Sequence, residues 1–343
     1  MMQGKEPIFV ISRFRLLYIV ILFLAAVLIA IRLGQAQEIW RVFQRANWAW
    51  IAVAALLQIA LLVNQTDLYK SAYRMVQLPL NFKELFLLVT SAAFVSAVVP
   101  GGTISGASLM IYDGLRQGWE VSRILMANFI FYLFDYSAFL ALLVAALLYL
   151  FWRGSLQQYE IMATAFLLAL VGGLFAVLFF TGARPATVLN LIRRLSRLVS
   201  RLFPKVDQHL PPWESKAEEF VGQLSKALKA AGYSRPALFQ AVFHALLMDG
   251  ISLLQVQALF LAFGQAPGLG RLIAGYAIGV LFMIVSITPQ GVGVVEGAMT
   301  TVYISLGVPP EQAVLVTFSY RALSFWLPVL LGFMFLKKVV VRE

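Results

Sequence analysis

Cysteine is absent from the 343 residues, and histidine occurs only twice. The first absence excludes disulfides, cysteine-ligated metals and thiol catalysis, and it leaves the redox compartment unread. The second goes with a lack of any HExxH, nucleotide loop or acid pair, so the groups that membrane enzymes use on lipid headgroups are missing. Charge is scarce too. Only 13% of residues are Asp, Glu, Lys or Arg, whereas 61% are hydrophobic and the mean hydropathy is +0.84. Nearly uncharged apolar windows of about 20 residues recur, the length that crosses a bilayer as a helix. The fold class is therefore an all-α polytopic membrane protein. The net charge of +11 reads as membrane topology rather than nucleic-acid binding, because the basic residues sit at helix ends and in one long loop.

Two of the apolar runs are broken in the same way. One passes Val98-Val99-Pro100-Gly101-Gly102; the other passes Ile287-Thr288-Pro289-Gln290-Gly291-Val292-Gly293. Proline lacks the N–H that a helix interior needs, and glycine loses the most entropy there. At membrane depth such a break is tolerated only where protein or a water-filled cavity satisfies the freed backbone. With Pro100 set on Pro289, 189 residues later, Gly102 falls on Gly291 and Gly118 on Gly307. The spacing predicts an internal repeat, with one half over about 48–151 and the other over about 237–336. The whole of 1–343 is then a single transmembrane domain.

In chain order, 16–31 reads as a first span, with a signal peptide cleaved near Gly34-Gln35-Ala36 as the competing reading. Residues 33–47 read as a loop, 48–66 as a span opened by Trp48 and Trp50, and 67–84 as a polar loop. Runs 85–99 and 105–115 are each too short to span and predict a re-entrant hairpin; 272–306 predicts a second. Spans are expected over 124–151, 161–181, 237–263 and 314–336. Between the halves, 182–236 holds ten Lys or Arg against four acids. Its first part is amphipathic. Val188, Leu189, Ile192 and Leu195 share one face, and Arg193, Arg194, Arg197 and Arg201 share the other, as in a helix resting on anionic headgroups. A topology anchor and lipid-substrate recruitment are both open for it. A second helix is expected over 213–231. With the N-terminus inside, the basic connector and the C-terminus are inside as well, and the two hairpins enter from opposite leaflets. That is an inverted-topology repeat, an architecture of transporters that bind near the midplane where broken helices meet.

The chemistry-bearing residues cluster in the second half. Glu296 follows the break and Tyr320-Arg321 lies on the last span. Two half-helix N-termini after the breaks offer N–H groups and a positive dipole end, and Arg321 offers a guanidinium fork suited to phosphate. Glu296 either holds Arg321 between substrates or titrates; the bland alternatives are a structural ion pair and a helix N-terminal acid. Asp135 and Asp249 lie inside spans, as ligands or as interhelical hydrogen-bond partners. His244 in an apolar helix reads as a satisfied core group, and Arg116 reads equally well as a snorkelling interfacial residue. Gly102, Gly291 and Gly293 are needed for the breaks themselves.

Three stretches resemble the lysylphosphatidylglycerol synthase transmembrane (flippase-like) family: Pro289-Gln290-Gly291-Val292-Gly293-Val294-Val295-Glu296-Gly297, Leu306-Gly307-Val308-Pro309-Pro310-Glu311-Gln312-Ala313, and Tyr320-Arg321-Ala322-Leu323-Ser324-Phe325-Trp326-Leu327-Pro328. The first half departs, since Tyr132 stands three residues before Asp135 where the family often has arginine. The resemblance implies translocation of a lipid with an anionic or modified headgroup, of phospholipid or polyisoprenyl-phosphate type, between leaflets. Family synthases also carry a soluble aminoacyl-transfer domain; none follows in this sequence, so no enzyme activity is expected of it. The implied substrate site is Arg321, Glu296, Gly291, Gly293, Gly102, Asp135, Tyr320 and Asp249, with no catalytic residue, metal or cofactor. Membrane lipids are the expected partners, nucleic acid is not one, and the oligomeric state is open, a homodimer included. The expected location is the cell membrane, multi-pass, with both termini cytoplasmic. A small-solute or ion-coupled transporter or channel is the alternative, and a lipid-modifying enzyme the remaining one.

Overall fold

The computed structural model describes residues 36–99, 103–184, 186–190, 192–194, 218, 221–222, 225, 235–286 and 288–340. The expected span at 16–31 and most of the connector lie outside them, as do Pro100, Gly101 and Gly102. Every element among the described residues is helical. In chain order they are α1 (Ala36–Gln44), α2 (Trp48–Met75), α3 (Phe82–Val98), α4 (Thr103–Arg116), α5 (Val121–Trp152), α6 (Gln158–Ala183), α7 (Arg235–Ala262), α8 (Leu269–Val285), α9 (Val294–Ser305), α10 (Pro310–Arg321) and α11 (Leu327–Val340). A 3-10 turn, Pro289–Gly291, joins α8 to α9, and a π turn, Ala322–Trp326, joins α10 to α11.

Among the described residues, four helices are long and apolar enough to cross a membrane: α2, α5, α7 from Pro236, and the continuous Pro310–Val340. Two expectations are corrected. The loop over 33–47 contains the helix α1, and α2 does not stop at residue 66 but carries Asp67, Lys70 and Arg74 on its last turns. Charges near a helix end keep their heads in the interface while the backbone stays helical, so three charged residues close in sequence do not mark a loop.

Local chemistry sets the ends. Asn47 caps α2 by accepting from the Ala49 N–H at 3.1 Å. Pro310 opens α10 at the first helical position, where no intrahelical N–H is required. α8 stops before Thr288-Pro289, because a residue preceding proline is pushed out of the α region. The π turn has a similar cause: Pro328 has no N–H to give the Ser324 carbonyl four residues back, and the Leu327 N–H reaches Ala322 instead.

Element lengths repeat. α2 and α7 have 28 residues each, α3 and α8 have 17, α4 and α9 have 14 and 12, and α5 has 32 against 31 for Pro310–Val340. The turns repeat bond for bond. Trp119 N–H donates to Gly114 O as Val308 N–H donates to Tyr303 O, and Leu78 N–H donates to Tyr73 O as Gln265 N–H donates to Phe260 O. Gly118 and Gly307 take the same left-handed conformation, φ 76° and 83°. Helix pairing follows suit: α2 packs on α7, α3 on α11, and α5 on α8.

Helices in lipid gain little from apolar burial against one another, so close approach carries the packing. A methyl on Gly332 of α11 would come within 2.2 Å of the Thr90 carbonyl on α3, and one on Gly275 of α8 within 2.1 Å of the Tyr303 ring. Hydrogen bonds fix the relative positions of the ends. Arg116 Nη1 donates to Val340 O at 2.7 Å, Arg123 Nη2 to Val76 O at 2.6 Å, and Asn47 N–H to Ala262 O at 2.8 Å. The ends of α2, α4 and α11 and the starts of α3 and α5 thus lie together. At the other end of the bundle are the starts of α2 and α8 and the ends of α7 and α9, the last two joined through the Phe260–Tyr303 ring contact.

Candidate functional site

The break after α8 is built from hydroxyls and left-handed backbone. Ser286 Oγ and Thr288 Oγ1 are 2.8 Å apart, Thr288 Oγ1 donates to Val292 O, and Gly291 N–H donates to Thr288 O. Gln290 adopts φ 53°, rare for a residue with a side chain, and Gly291 adopts φ 68°. At Gly291 a methyl would also meet the Val295 side chain at 2.6 Å and the Met283 backbone at 3.0 Å, so both conformation and space demand glycine.

This geometry presents two oxygens to Arg321. Its Nε donates to Glu296 Oε1 at 2.8 Å and its Nη2 donates to the Gln290 carbonyl at 2.9 Å, while its guanidinium carbon lies 4.9 Å over the Phe325 ring. The second carboxylate oxygen, Glu296 Oε2, accepts from the Gly293 N–H at 2.7 Å. Arg321 is only 4% exposed. A buried charge without a partner is costly, and the pairing offsets that cost. One expectation is corrected here. The N-terminus of α9 does not offer all its N–H groups to a ligand, because Glu296 on its first turn already caps it.

Arg321 opens onto a cavity of about 690 Å³ between the spans. Tyr320 and Ser324 line it beside Arg321, Asp135 with Tyr132 and Tyr136 from α5, and Asp249 with Ser252 from α7. Asp135 and Asp249 lie within electrostatic reach of each other, and the Tyr276 hydroxyl donates to Asp249 Oδ1 at 3.3 Å. Of the expected residues, the structure therefore gathers Arg321, Tyr320, Asp135 and Asp249 on one cavity. Glu296, Gly291 and Gly293 stand behind Arg321, and Gly102 lies outside the described residues. His244 is not on the cavity; its Nδ1 meets Asn64 Oδ1 at 2.6 Å, between α7 and α2. Arg116 is spent on the Val340 carbonyl.

Sequence reasoning missed Gln58 and Gln65 of α2, Ser286, Thr288 and Gln290, all on the cavity wall. The two glutamines had a signal, since a spacing of seven puts them on one face of an apolar helix. Gln290 had none, because only its unusual backbone turns its carbonyl onto Arg321.

The charged pair belongs to one half alone. The positions 189 residues before Arg321 and Glu296 are Tyr132 and Ala107. Both members of the pair are absent from the first half together, so that half keeps neither an unpaired Arg nor an unpaired Glu at these two positions.

Membrane-length helices around a polar, charged cavity mark a polytopic helical membrane protein. The chain belongs to the family of the lysylphosphatidylglycerol synthase transmembrane region, whose profile matches residues 15–332. Its relatives include UPF0104 membrane proteins. That of Methanocaldococcus jannaschii is 24% identical over 324 residues, covering 93% of this chain and 92% of the relative. That of Methanothermobacter thermautotrophicus is 26% identical over 179 residues, covering 49% and 51%.

Proposed function

We propose that this protein is a flippase-like transporter, not an enzyme, that moves a lipid with an anionic or modified headgroup between leaflets. The observation that carries the reading is the buried guanidinium of Arg321 at the wall of a 690 Å³ cavity among membrane-length helices. A phosphate can take over the fork whose Nε now donates to the Glu296 carboxylate and whose Nη2 donates to the Gln290 carbonyl, since a guanidinium binds phosphate through two parallel N–H groups. The cavity volume is within the range of small-ligand sites.

The proposed architecture is a single domain made of an inverted repeat with two re-entrant hairpins. Similar element lengths, matched turns and the pairing of α2 with α7 support it. So do the ends of each hairpin. α3 starts and α4 finishes at one end of the bundle, and α8 starts and α9 finishes at the other. The first of these ends collects Lys70, Arg74, Lys83, Arg116, Arg123, Lys337 and Lys338, which favours placing it, with the C-terminus, in the cytoplasm of a cell-membrane protein.

Ion-coupled transport of a small solute is the second reading. Asp135 and Asp249 favour it, as two carboxylates share the cavity while its arginine already has a counter-charge.

The deciding experiment follows headgroup accessibility of fluorescent anionic lipids in proteoliposomes. Wild type should move a phospholipid or a polyisoprenyl phosphate, and Arg321→Ala should be slower by roughly ten-fold or more, as for loss of a buried charge contact. If folded wild type moves no lipid, the lipid reading fails, and solute uptake becomes the assay.

A further inference from the structure

A second cavity, of about 440 Å³, lies where α2 turns into α3. Lys70 and Arg74 of α2 line it, with Pro79 and Asn81 of the turn and Phe82 and Leu85 of α3. No acidic residue does. Lys70 and Arg74 are four apart, so their side chains are neighbours on one helix face, about 6 Å apart at their roots. Neither forms an ion pair among the described residues. Lys70 Nζ stands 5.7 Å from the centre of the Phe82 ring, and Arg74 Nη1 makes one long contact, 3.4 Å, to Gln240 Oε1.

The helix ends add to the same sign. The carbonyls at the end of α2 would put negative partial charge beside the cavity. Arg123 covers them, giving Nε and Nη2 to Val76 O at 3.0 and 2.6 Å, and Nη2 to Gln77 O at 2.7 Å. The start of α3 brings its N–H groups, with Glu84 on its first turn but outside the cavity lining, and the side chain of its N-cap, Asn81, makes no capping bond.

The fold does not require this charge. The same turn recurs 187 residues on, where Gly264 takes the left-handed place of Gln77 and the bonds are repeated. There the positions of Lys70 and Arg74 are Gln257 and Leu261. Two cations facing an open cavity, in one copy of a turn that forms without them, point to a ligand.

We infer that this cleft binds a phosphate group that carries net negative charge, not a zwitterionic headgroup, at headgroup depth: Lys70 supplies a point charge, Arg74 a planar fork, and α3 its N-terminus. A phospholipid headgroup and a free phosphate ion share that chemistry. The site does not depend on transport through the central cavity, so it stands or falls separately.

The test titrates the purified full chain in detergent with short-chain phosphatidylglycerol and, separately, phosphatidylcholine, counting bound lipid by native mass spectrometry. Wild type should prefer phosphatidylglycerol. Lys70→Gln with Arg74→Gln should lower that preference by roughly thirty-fold, the effect of two interfacial basic side chains. Lys337→Gln with Lys338→Gln, the same charge lost elsewhere at that end, should leave it nearly unchanged. Equal binding of the two lipids by wild type, with no binding of inorganic phosphate, overturns the site. Equal loss in both double variants also overturns it, as diffuse surface charge. Inorganic phosphate that binds alone and displaces the lipid identifies the free ion as the ligand; a lipid preference that phosphate does not disturb identifies the headgroup. Arg74 is exposed and Lys70 half-buried, and each single variant, Lys70→Gln or Arg74→Gln, should show an intermediate loss if the double variant fails to fold.

Discussion

Arg321 and Glu296 can be separated as a structural pair and as a working site because the two roles respond differently to paired substitution. Arg321→Gln leaves the Glu296 carboxylate, 12% exposed, without its counter-charge. Breaking a buried pair from one side costs roughly 3–5 kcal/mol, whereas removing both charges is often near neutral. Glu296→Gln keeps an oxygen for the Gly293 N–H. The double variant Arg321→Gln/Glu296→Gln should therefore recover most of the melting temperature that Arg321→Gln loses in detergent. It should not recover lipid movement. A double variant that is stable and transports like wild type would reduce the pair to a structural role. These two residues were legible in the sequence, because a carboxylate just after a helix break and an arginine in the next apolar run have few reasons to be there. Their partners were not. The Gln290 carbonyl reaches Arg321 only through a left-handed residue that no propensity rule would place before Gly291.

At the scale of elements, the proposed repeat exchanges side-chain size across corresponding contacts. Gly332 on α11 meets Thr90 on α3; the corresponding positions on α5 and α8 are Leu143 and Ala277, both fully buried in one cluster. The larger residue sits on the short helix in one contact and on the long helix in the other. Gly332→Ala should then overpack the α3–α11 contact, since the new methyl would fall within 2.2 Å of the Thr90 carbonyl and 2.7 Å of Phe94 Cβ. Overpacking of this kind costs about 1–3 kcal/mol, which should register as a lower melting temperature. An unchanged melting temperature would mean that α11 can move off α3 freely. Apolar run lengths located nearly all of these helices, with boundaries shifted by a few residues. They failed at α1, a short amphipathic helix outside any long apolar run, and at the end of α2. There Asp67, Lys70 and Arg74 resemble a loop in composition but sit on helical backbone. The π turn was hidden for a related reason, since Pro328 announces a disturbance without saying whether the chain breaks or adds a residue to the turn.

At the scale of the whole molecule, the proposed inversion makes a prediction about sides. Asn81 and Gly268 are the caps of α3 and α8, 187 residues apart on matched turns, and both are exposed. Gly268 has φ −61° and open space around its Cα, so a side chain fits there without strain. With no cysteine in the chain, Asn81→Cys and Gly268→Cys each give a single thiol. A parallel repeat would put both thiols on one side of the membrane; an inverted one puts them on opposite sides. The Arg123 and Arg116 bonds draw the first turn to the end that holds Lys337 and Lys338, and the Phe260–Tyr303 contact holds the second turn's neighbourhood at the other end. In the proposed topology, the excess of basic residues at the first end puts that end in the cytoplasm. In intact cells, a membrane-impermeable thiol reagent should thus label Gly268→Cys and spare Asn81→Cys until the membrane is opened. Labelling of both from outside, or of neither, would remove the inverted repeat. The central cavity would then need another explanation for lying where the two halves meet.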